Sequence, residues 1–265
     1  MKFKAKNNWH YCENNKFKIL FDYKKKPNNE KNFSIKGKYY RAFYQCNLCN
    51  HVTAFHRFKI NDIYKKDYLN LTYQNESGIE KRFKYITNLP LKKSDNKNRA
   101  LRITNFLKKK ISLLDVGSGT GVFLHEMKKL SHNVRGLELD ERYANFLKKK
   151  KIKVFTKELK MFKTLKKFDL LTFNKVLEHV YDPLEMLRNC KRLLKQNGIL
   201  YIELPDVMAK NKGKFAGEFC LDHFQLFSLN SLDQIASRSG FKAIKLERII
   251  EPSGKYTVFG FFKII

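Results

Sequence analysis

Leu113-Leu-Asp-Val-Gly-Ser-Gly-Thr-Gly121 decides how this chain folds. An apolar run from Ile111 to Val116 turns through Gly117, Gly119 and Gly121 into a stretch, Thr120 to Leu130, whose apolar residues recur at helical spacing. A strand leading through a glycine turn into a helix opens a parallel α/β unit, and the glycines let a ligand approach the backbone without a Cβ in the way. Such a ligand lies at the carboxyl ends of the strands. Two ligand classes compete for the loop. A dinucleotide fingerprint wants glycines at relative positions one, three and six, whereas here position six is Val122 and the third glycine comes one residue earlier. The leading carboxylate, Asp115, suits a cationic aminoacyl sulfonium better than an anionic pyrophosphate.

Moving outward, Val134-Arg-Gly-Leu-Glu-Leu-Asp140 predicts a second strand, 133–139, with Glu138 at its tip. An acid about 20 residues beyond such a loop can take both ribose hydroxyls, a device that dinucleotide enzymes share. Asp140 is read as the N-cap of a helix, Glu141 to Lys151. Further strands are predicted over 153–156, 168–173, 198–204, 241–249 and 256–264, the last two joined by the turn Glu251-Pro-Ser-Gly254. A helix begins at Asp182-Pro183, carries Leu184, Leu187, Cys190, Leu193 and Leu194, and stops at Asn197-Gly198. Another runs 228–239 with Asn230 or Ser231 as cap, and a helix capped at Ser94-Asp95 runs through Leu107. His125 and His132 are read as surface residues and Cys190 as core. The regular alternation predicts an α/β protein with a doubly wound, mostly parallel sheet.

The spacing Asp-x-Gly-x-Gly-x-Gly resembles the first motif of class I S-adenosylmethionine (SAM) methyltransferases. Phe168-Asp-Leu-Leu-Thr-Phe-Asn-Lys-Val-Leu-Glu-His-Val-Tyr-Asp-Pro183 resembles the "FDxIxxxxVLEHVxDP" stretch of small-molecule methyltransferases, quinone and sugar enzymes among them. Asp222-His-Phe-Gln-Leu-Phe-Ser-Leu-Asn-Ser-Leu232, continuing to Gly240-Phe241, resembles a later stretch of the same groups. The resemblance spans Arg99 to Phe241 and implies a seven-stranded, Rossmann-like sheet. It implies SAM as cofactor, held by Asp115, Gly117, Ser118, Gly119, Gly121, Glu138, Leu139 and Asn174. It also implies catalytic histidines at His179 and in the Asp222-His223 pair. An acceptor hydroxyl or acidic C–H must lose a proton, and an imidazole has the right unperturbed pKa. The pattern departs at Asp222, where a Glu is expected, and at Cys220, where a Tyr is expected; both put deoxysugar C-methylation in doubt.

The N-terminal part, 1–92, reads as irregular and aromatic-rich, against a methyltransferase domain over 93–265. Tyr44-Gln-Cys-Asn-Leu-Cys-Asn-His-Val52 is a Cys-x-x-Cys knuckle, a spacing that suits tetrahedral zinc. Cys12 supplies a third thiol, and His10 or His51 could complete the set with Cys46 and Cys49. Sugar-modifying methyltransferases that this chain resembles carry an N-terminal four-cysteine ribbon, and the stretch 58–73 is also similar to theirs. The alternatives are a structural zinc on three cysteines and one histidine, or a degenerate ribbon without metal. The region would also complete the substrate pocket as a lid.

With 55 Lys+Arg against 25 Asp+Glu the formal charge is +30. That suits a polyanionic partner, but the lysines are spread along the chain, often at predicted helix ends where cations meet the helix dipole. Five cysteines with no secretory leader argue against a disulfide framework, and no apolar run is long enough to cross a membrane, so a cytoplasmic location is expected. The leading expectation is methyl transfer from SAM to a small hydroxylated or nucleotide-sugar substrate, phosphorylated forms being suited to the basic loop Lys210-Asn-Lys-Gly-Lys214. An RNA methyltransferase, or a basic zinc-containing nucleic-acid-binding protein without catalysis, are the alternatives. No Asn-Pro-Pro-Tyr-type motif stands at the fourth strand tip to support methylation of a flipped base.

Overall fold

In the computed structural model, residues 12, 16–28, 30, 35–60 and 76–265 are described. The N-terminal part is more regular than its sequence suggests. Strands β1 (Phe17–Tyr23), β3 (Arg41–Cys46) and β4 (Val52–His56) form an antiparallel sheet, while β2 (Ile35–Lys36) pairs with β5 (Lys59–Ile60). Ala42, Phe43 and Val52 are fully buried, which explains why aromatic richness here yields packed strands.

Helix α1 (Glu76–Asn88) places Ile79 and Phe83 in the same apolar cluster as Phe123, Met127 and Phe146. Helix α2 (Asp95–Leu107) starts where Ser94 accepts a bond from the Lys97 amide at 3.2 Å, and Lys108 closes it in the left-handed region. The alternating units follow: β6 (Ser112–Val116), α3 (Val122–Lys129), β7 (Asn133–Leu137), α4 (Glu141–Lys149), β8 (Lys153–Phe155), β9 (Phe168–Asn174), α5 (Pro183–Cys190) and β10 (Leu194–Pro205). Then come β11 (Gln225–Leu226), α6 (Leu229–Arg238), β12 (Phe241–Ile250) and β13 (Tyr256–Ile264).

The seven-stranded sheet has the order β12-β13-β10-β9-β6-β7-β8. It is parallel from β10 to β8, and β13 runs antiparallel against β10. Neighbouring residues feed opposite faces: Leu114 and Leu171 join one apolar cluster, Leu113 and Leu170 the other. A sheet buried on both sides needs continuous apolar runs, and those runs are what marked the strands. From β6 the chain winds outward to β7 and β8, then returns to β9 on the other side of β6. The crevice for a ligand therefore opens at the carboxyl ends of β6 and β9.

Three readings are corrected. The helix expected to carry Leu194 as far as Asn197 stops at Cys190; after a short turn Leu194 pairs with Phe168 as the first residue of β10. Ser228, not Asn230 or Ser231, caps α6, and Ser231 returns the bond as the third residue of a capping box. His132 is buried rather than on the surface, with Nε2 at 2.9 Å from the Thr104 hydroxyl. Lysines 128, 129, 148 and 149 do occupy last turns of helices, as the dipole argument requires. Among the described residues no helix is long and apolar enough to cross a membrane.

Candidate active site

Asp115 stands at the carboxyl end of β6 and is buried. Its Oδ1 accepts from the Thr172 hydroxyl at 2.6 Å and from Asn174 Nδ2 at 2.7 Å, both on β9. Burial pushes its carboxyl up to about 7, against the pull of those two bonds and of Arg99. Asn174 Oδ1 is buried and has no hydrogen-bond partner among the described residues. The same holds for Ser118 Oγ inside the glycine loop. Orphaned buried polar atoms beside the glycine loop are what a ligand's polar groups would satisfy.

Glu138 follows β7 and reaches back to the loop. Its Oε2 accepts from the Gly119 amide at 2.7 Å and its Oε1 from the Asp140 amide at 3.0 Å. Each oxygen keeps a lone pair for a ribose hydroxyl. Burial raises the Glu138 carboxyl, while these amides pull it back. Gly119 has φ +51, and a Cβ built there would meet nothing within 4 Å, so the cradle is open at that point. Leu139 beside it is exposed. Asp140 is the N-cap of α4, accepting from Arg142 N at 2.9 Å.

Under the adjacent strand ends lies a buried ionic cluster that the sequence did not disclose. Glu203 on β10 accepts from Arg99 and, through Oε2, from Arg102 at 2.9 Å and the Tyr201 hydroxyl at 2.6 Å. Burial alone would raise the Glu203 carboxyl, but Arg99 and Lys175 hold it well below the carboxylate range. Lys175, directly after Asn174, sits in the left-handed region at φ +57, and its ammonium donates to Thr257 Oγ1 at 2.6 Å. Arg99 and Glu203 are 104 residues apart in the chain, so no local pattern marks the pair. Thr172 could have been found: it precedes Asn174 by two on a strand and so shares its face.

The two histidines singled out by the resemblance lie side by side. His179 ends a short turn, Leu177–His179, and its Nδ1 donates to the Asp222 carbonyl at 2.7 Å. The His223 Nδ1 donates to the Glu218 carbonyl at 2.8 Å, and the two rings stand edge to face at 4.8 Å. Burial, with His179 beside it, lowers His223 to about 3, so that ring is neutral over the working pH range. A carbonyl can only accept, so each Nδ1 carries its proton and Nε2 is the basic nitrogen of the neutral ring. Asp222 is buried beside them. In the basic loop, Lys212 is tied to the Gly254 carbonyl.

The thiols of Cys12, Cys46 and Cys49 converge, all within 4.8 Å of one another and all buried. The amides of Leu48 and Cys49 both donate to Cys46 Sγ at 3.4 Å, the support a thiolate needs. Burial pushes the Cys49 thiol up, so three thiolates here would need a cation. His51 is buried against Phe227 and is not one of this cluster. His10 and most of the 58–73 stretch lie outside the described residues.

Residues 85–246 match the family model described as a methyltransferase domain. The chain belongs to that family. As a SAM-dependent methyltransferase it uses SAM as cofactor, on the class I Rossmann-like sheet. The ubiquinone biosynthesis O-methyltransferase of Pelagibacter ubique is 36% identical over 100 residues, covering 36% of this chain and 42% of that protein. The Haemophilus ducreyi protein of the same name is 30% identical over 102 residues, covering 34% and 43%. The match thus spans less than half the length of these curated relatives. Among solved structures, magnesium protoporphyrin IX methyltransferase from Synechocystis with bound SAH aligns at TM-score 0.56 and 15% identity, over 74% of this methyltransferase and 96% of that chain. The Burkholderia thailandensis 1,6-didemethyltoxoflavin-N1-methyltransferase aligns at TM-score 0.55 and 13% identity, over 89% and 99%.

Proposed function

We propose that this methyltransferase transfers the methyl group of SAM to an oxygen of a small hydroxylated molecule, with His179 as general base. The observation that carries the reading is the pairing of an open, acid-rimmed glycine cradle with a histidine whose tautomer is fixed by the Asp222 carbonyl. SAM supplies an electrophilic methyl group. Asp115 would face the cationic aminoacyl end, with Gly117, Ser118, Gly121 and Leu139 lining the approach, Glu138 the ribose and Asn174 the floor. His179, through Nε2, would take the acceptor's proton, and the neutral His223 with Asp222 would hold that ring in place. Holding the acceptor in line with the methyl group contributes several kcal/mol, on the order of what other well-oriented reactions show.

The relatives named for ubiquinone biosynthesis support an O-methyl product. A nucleotide-linked sugar is the charged variant of the same acceptor class, with Lys210 and Lys214 near its phosphates. The N-terminal sheet, joined to the catalytic domain by β11, would cover the acceptor side. A structural zinc would sit on Cys12, Cys46 and Cys49, with His10 as fourth ligand. The location proposed is the cytoplasm.

The test is His179→Ala assayed on a panel of catechols, other phenols and nucleotide sugars with methyl-labelled SAM. Turnover should fall by about 100-fold or more with SAM affinity kept. Unchanged turnover removes His179 from the chemistry.

A further inference from the structure

Glu178 has no role in the reading above, yet it is the least explained side chain at the site. It is 1% exposed, and neither Oε1 nor Oε2 has a hydrogen-bond partner among the described residues. Leaving a carboxylate buried without bonds is costly, so such a group usually serves a ligand or a reaction. One of its oxygens lies within 4.8 Å of a ring nitrogen of His179 and of one of His223, and those two nitrogens are as close to each other. With both Nδ1 protons given to carbonyl oxygens, Nε2 is the basic nitrogen of each ring. A buried carboxylate and two imidazoles therefore meet in one cluster, a set whose chemistry suits a positive species.

The surrounding charge decides which species. Lys175 reaches Glu178 electrostatically from the end of β9, and His179 and Asp222 do so from its own turn and from the facing segment. Phe224 N donates to the Glu178 carbonyl at 2.8 Å, which fixes that segment against the turn. A divalent ion here would have a single carboxylate in the cluster and would be opposed by the charge of Lys175, which acts on both Glu178 and His223. A single proton carries half that charge, and the reaction itself delivers one.

We propose that Glu178 is the positioning carboxylate of His179, stabilising the imidazolium formed when the acceptor hydroxyl is deprotonated. The inference rests on His179 acting as base. In the step, the acceptor O–H bond breaks and its proton goes to His179 Nε2. The oxygen lone pair forms the new O–CH3 bond as the S–CH3 bond breaks, its electron pair staying on sulfur. Glu178 balances the positive ring until the proton leaves to water. Removing that negative charge makes His179 a weaker base without removing the base.

Two readouts test this on the full-length protein. In ring-carbon NMR titrations, which need no turnover, the His179 signal of E178Q should titrate at lower pH, with proton affinity reduced by about tenfold or more. Glu178→Asp, which keeps the charge, should restore most of the shift. Identical titration in wild type and E178Q overturns the proposal even if methyl transfer proceeds. In pH–rate profiles the acid limb of E178Q should move to lower pH with a lower plateau; a uniform drop at every pH marks a merely structural carboxylate and also overturns it. If magnesium or zinc chloride saturably shifts both histidine signals in wild type and not in E178Q, the cluster is a cation site and the proton reading fails. Should E178Q not fold, the Glu178→Asp titration against wild type decides: matching ring titrations support the proposal, and an Asp variant whose His179 has lost about tenfold overturns it. Absence of transfer to every acceptor, with the NMR shift present, would count against the function proposed above and not against Glu178.

Discussion

Asn174 Nδ2 donates to Asp115 Oδ1 at 2.7 Å, tying together the ends of the adjacent parallel strands β9 and β6, where the winding of the chain changes side. The bond holds a buried carboxylate whose ionisation is poised near neutrality, at about 7 against an ordinary 3.8. In the folded chain the protonated form is favoured, so Asp115 adds stability at low pH that is lost as pH rises from about 4 through about 7. Thermal melts across that window should show this slope, and Asp115→Asn should flatten it. SAM brings a cation to the charged form, so its affinity should rise between about pH 6 and 8 in wild type. An affinity that falls or stays level over that range would contradict the assignment of Asp115.

Gly119 and Gly121 should behave differently when each gains a methyl group. Both have positive φ, which costs an L-residue about 1–2 kcal/mol. The added Cβ of Gly119→Ala points into the open cradle, so the fold should survive while SAM affinity drops. That of Gly121→Ala overlaps Leu147 in the core, so stability should fall further. Denaturant melts combined with SAM calorimetry separate the two, and equal stability losses would contradict the geometry.

The glycine loop and Glu138 were legible because each depends on a local pattern: a strand, a turn, an acid at a fixed distance; the two histidines were singled out only through the family resemblance. What stayed hidden depends on distant partners. Arg99 and Glu203 meet across more than half the domain, and an arginine on a helix gives no sign that it is buried. The two residues of β11 carry no strand pattern, yet they complete the N-terminal sheet by pairing with Val52 and Thr53. Leu193 and Leu194 fit helical spacing equally well, and only the pairing of Leu194 with Phe168 assigned the second one to a strand. His132 looked exposed because its partner, Thr104, lies on α2, well before it in the chain.

The thiol cluster leads to a measurement of metal content. Cys46 receives two amide bonds, and Cys49 O accepts from the Ser228 hydroxyl at 2.5 Å, so the knuckle leans on the cap of α6. Protein purified without chelators should contain zinc near one per chain, and Cys46→Ser should lose it and melt at lower temperature. Wild type with no zinc after such purification contradicts the site.

Ser228 offers a stability check independent of metal and cofactor. Its side chain caps α6 and also anchors the knuckle, so Ser228→Ala should cost about 1–2 kcal/mol in denaturant melts. A change within about 0.5 kcal/mol, the range of ordinary surface substitutions, would show that neither bond matters.

The central claim is that the acid at the tip of β7 reads the ribose of SAM from across the glycine loop. Isothermal calorimetry of SAM with wild type and with Glu138→Ala tests it most directly. Loss of a charged hydrogen-bonding partner predicts binding weaker by about tenfold or more in the variant. Equal affinity in the two proteins would contradict the account.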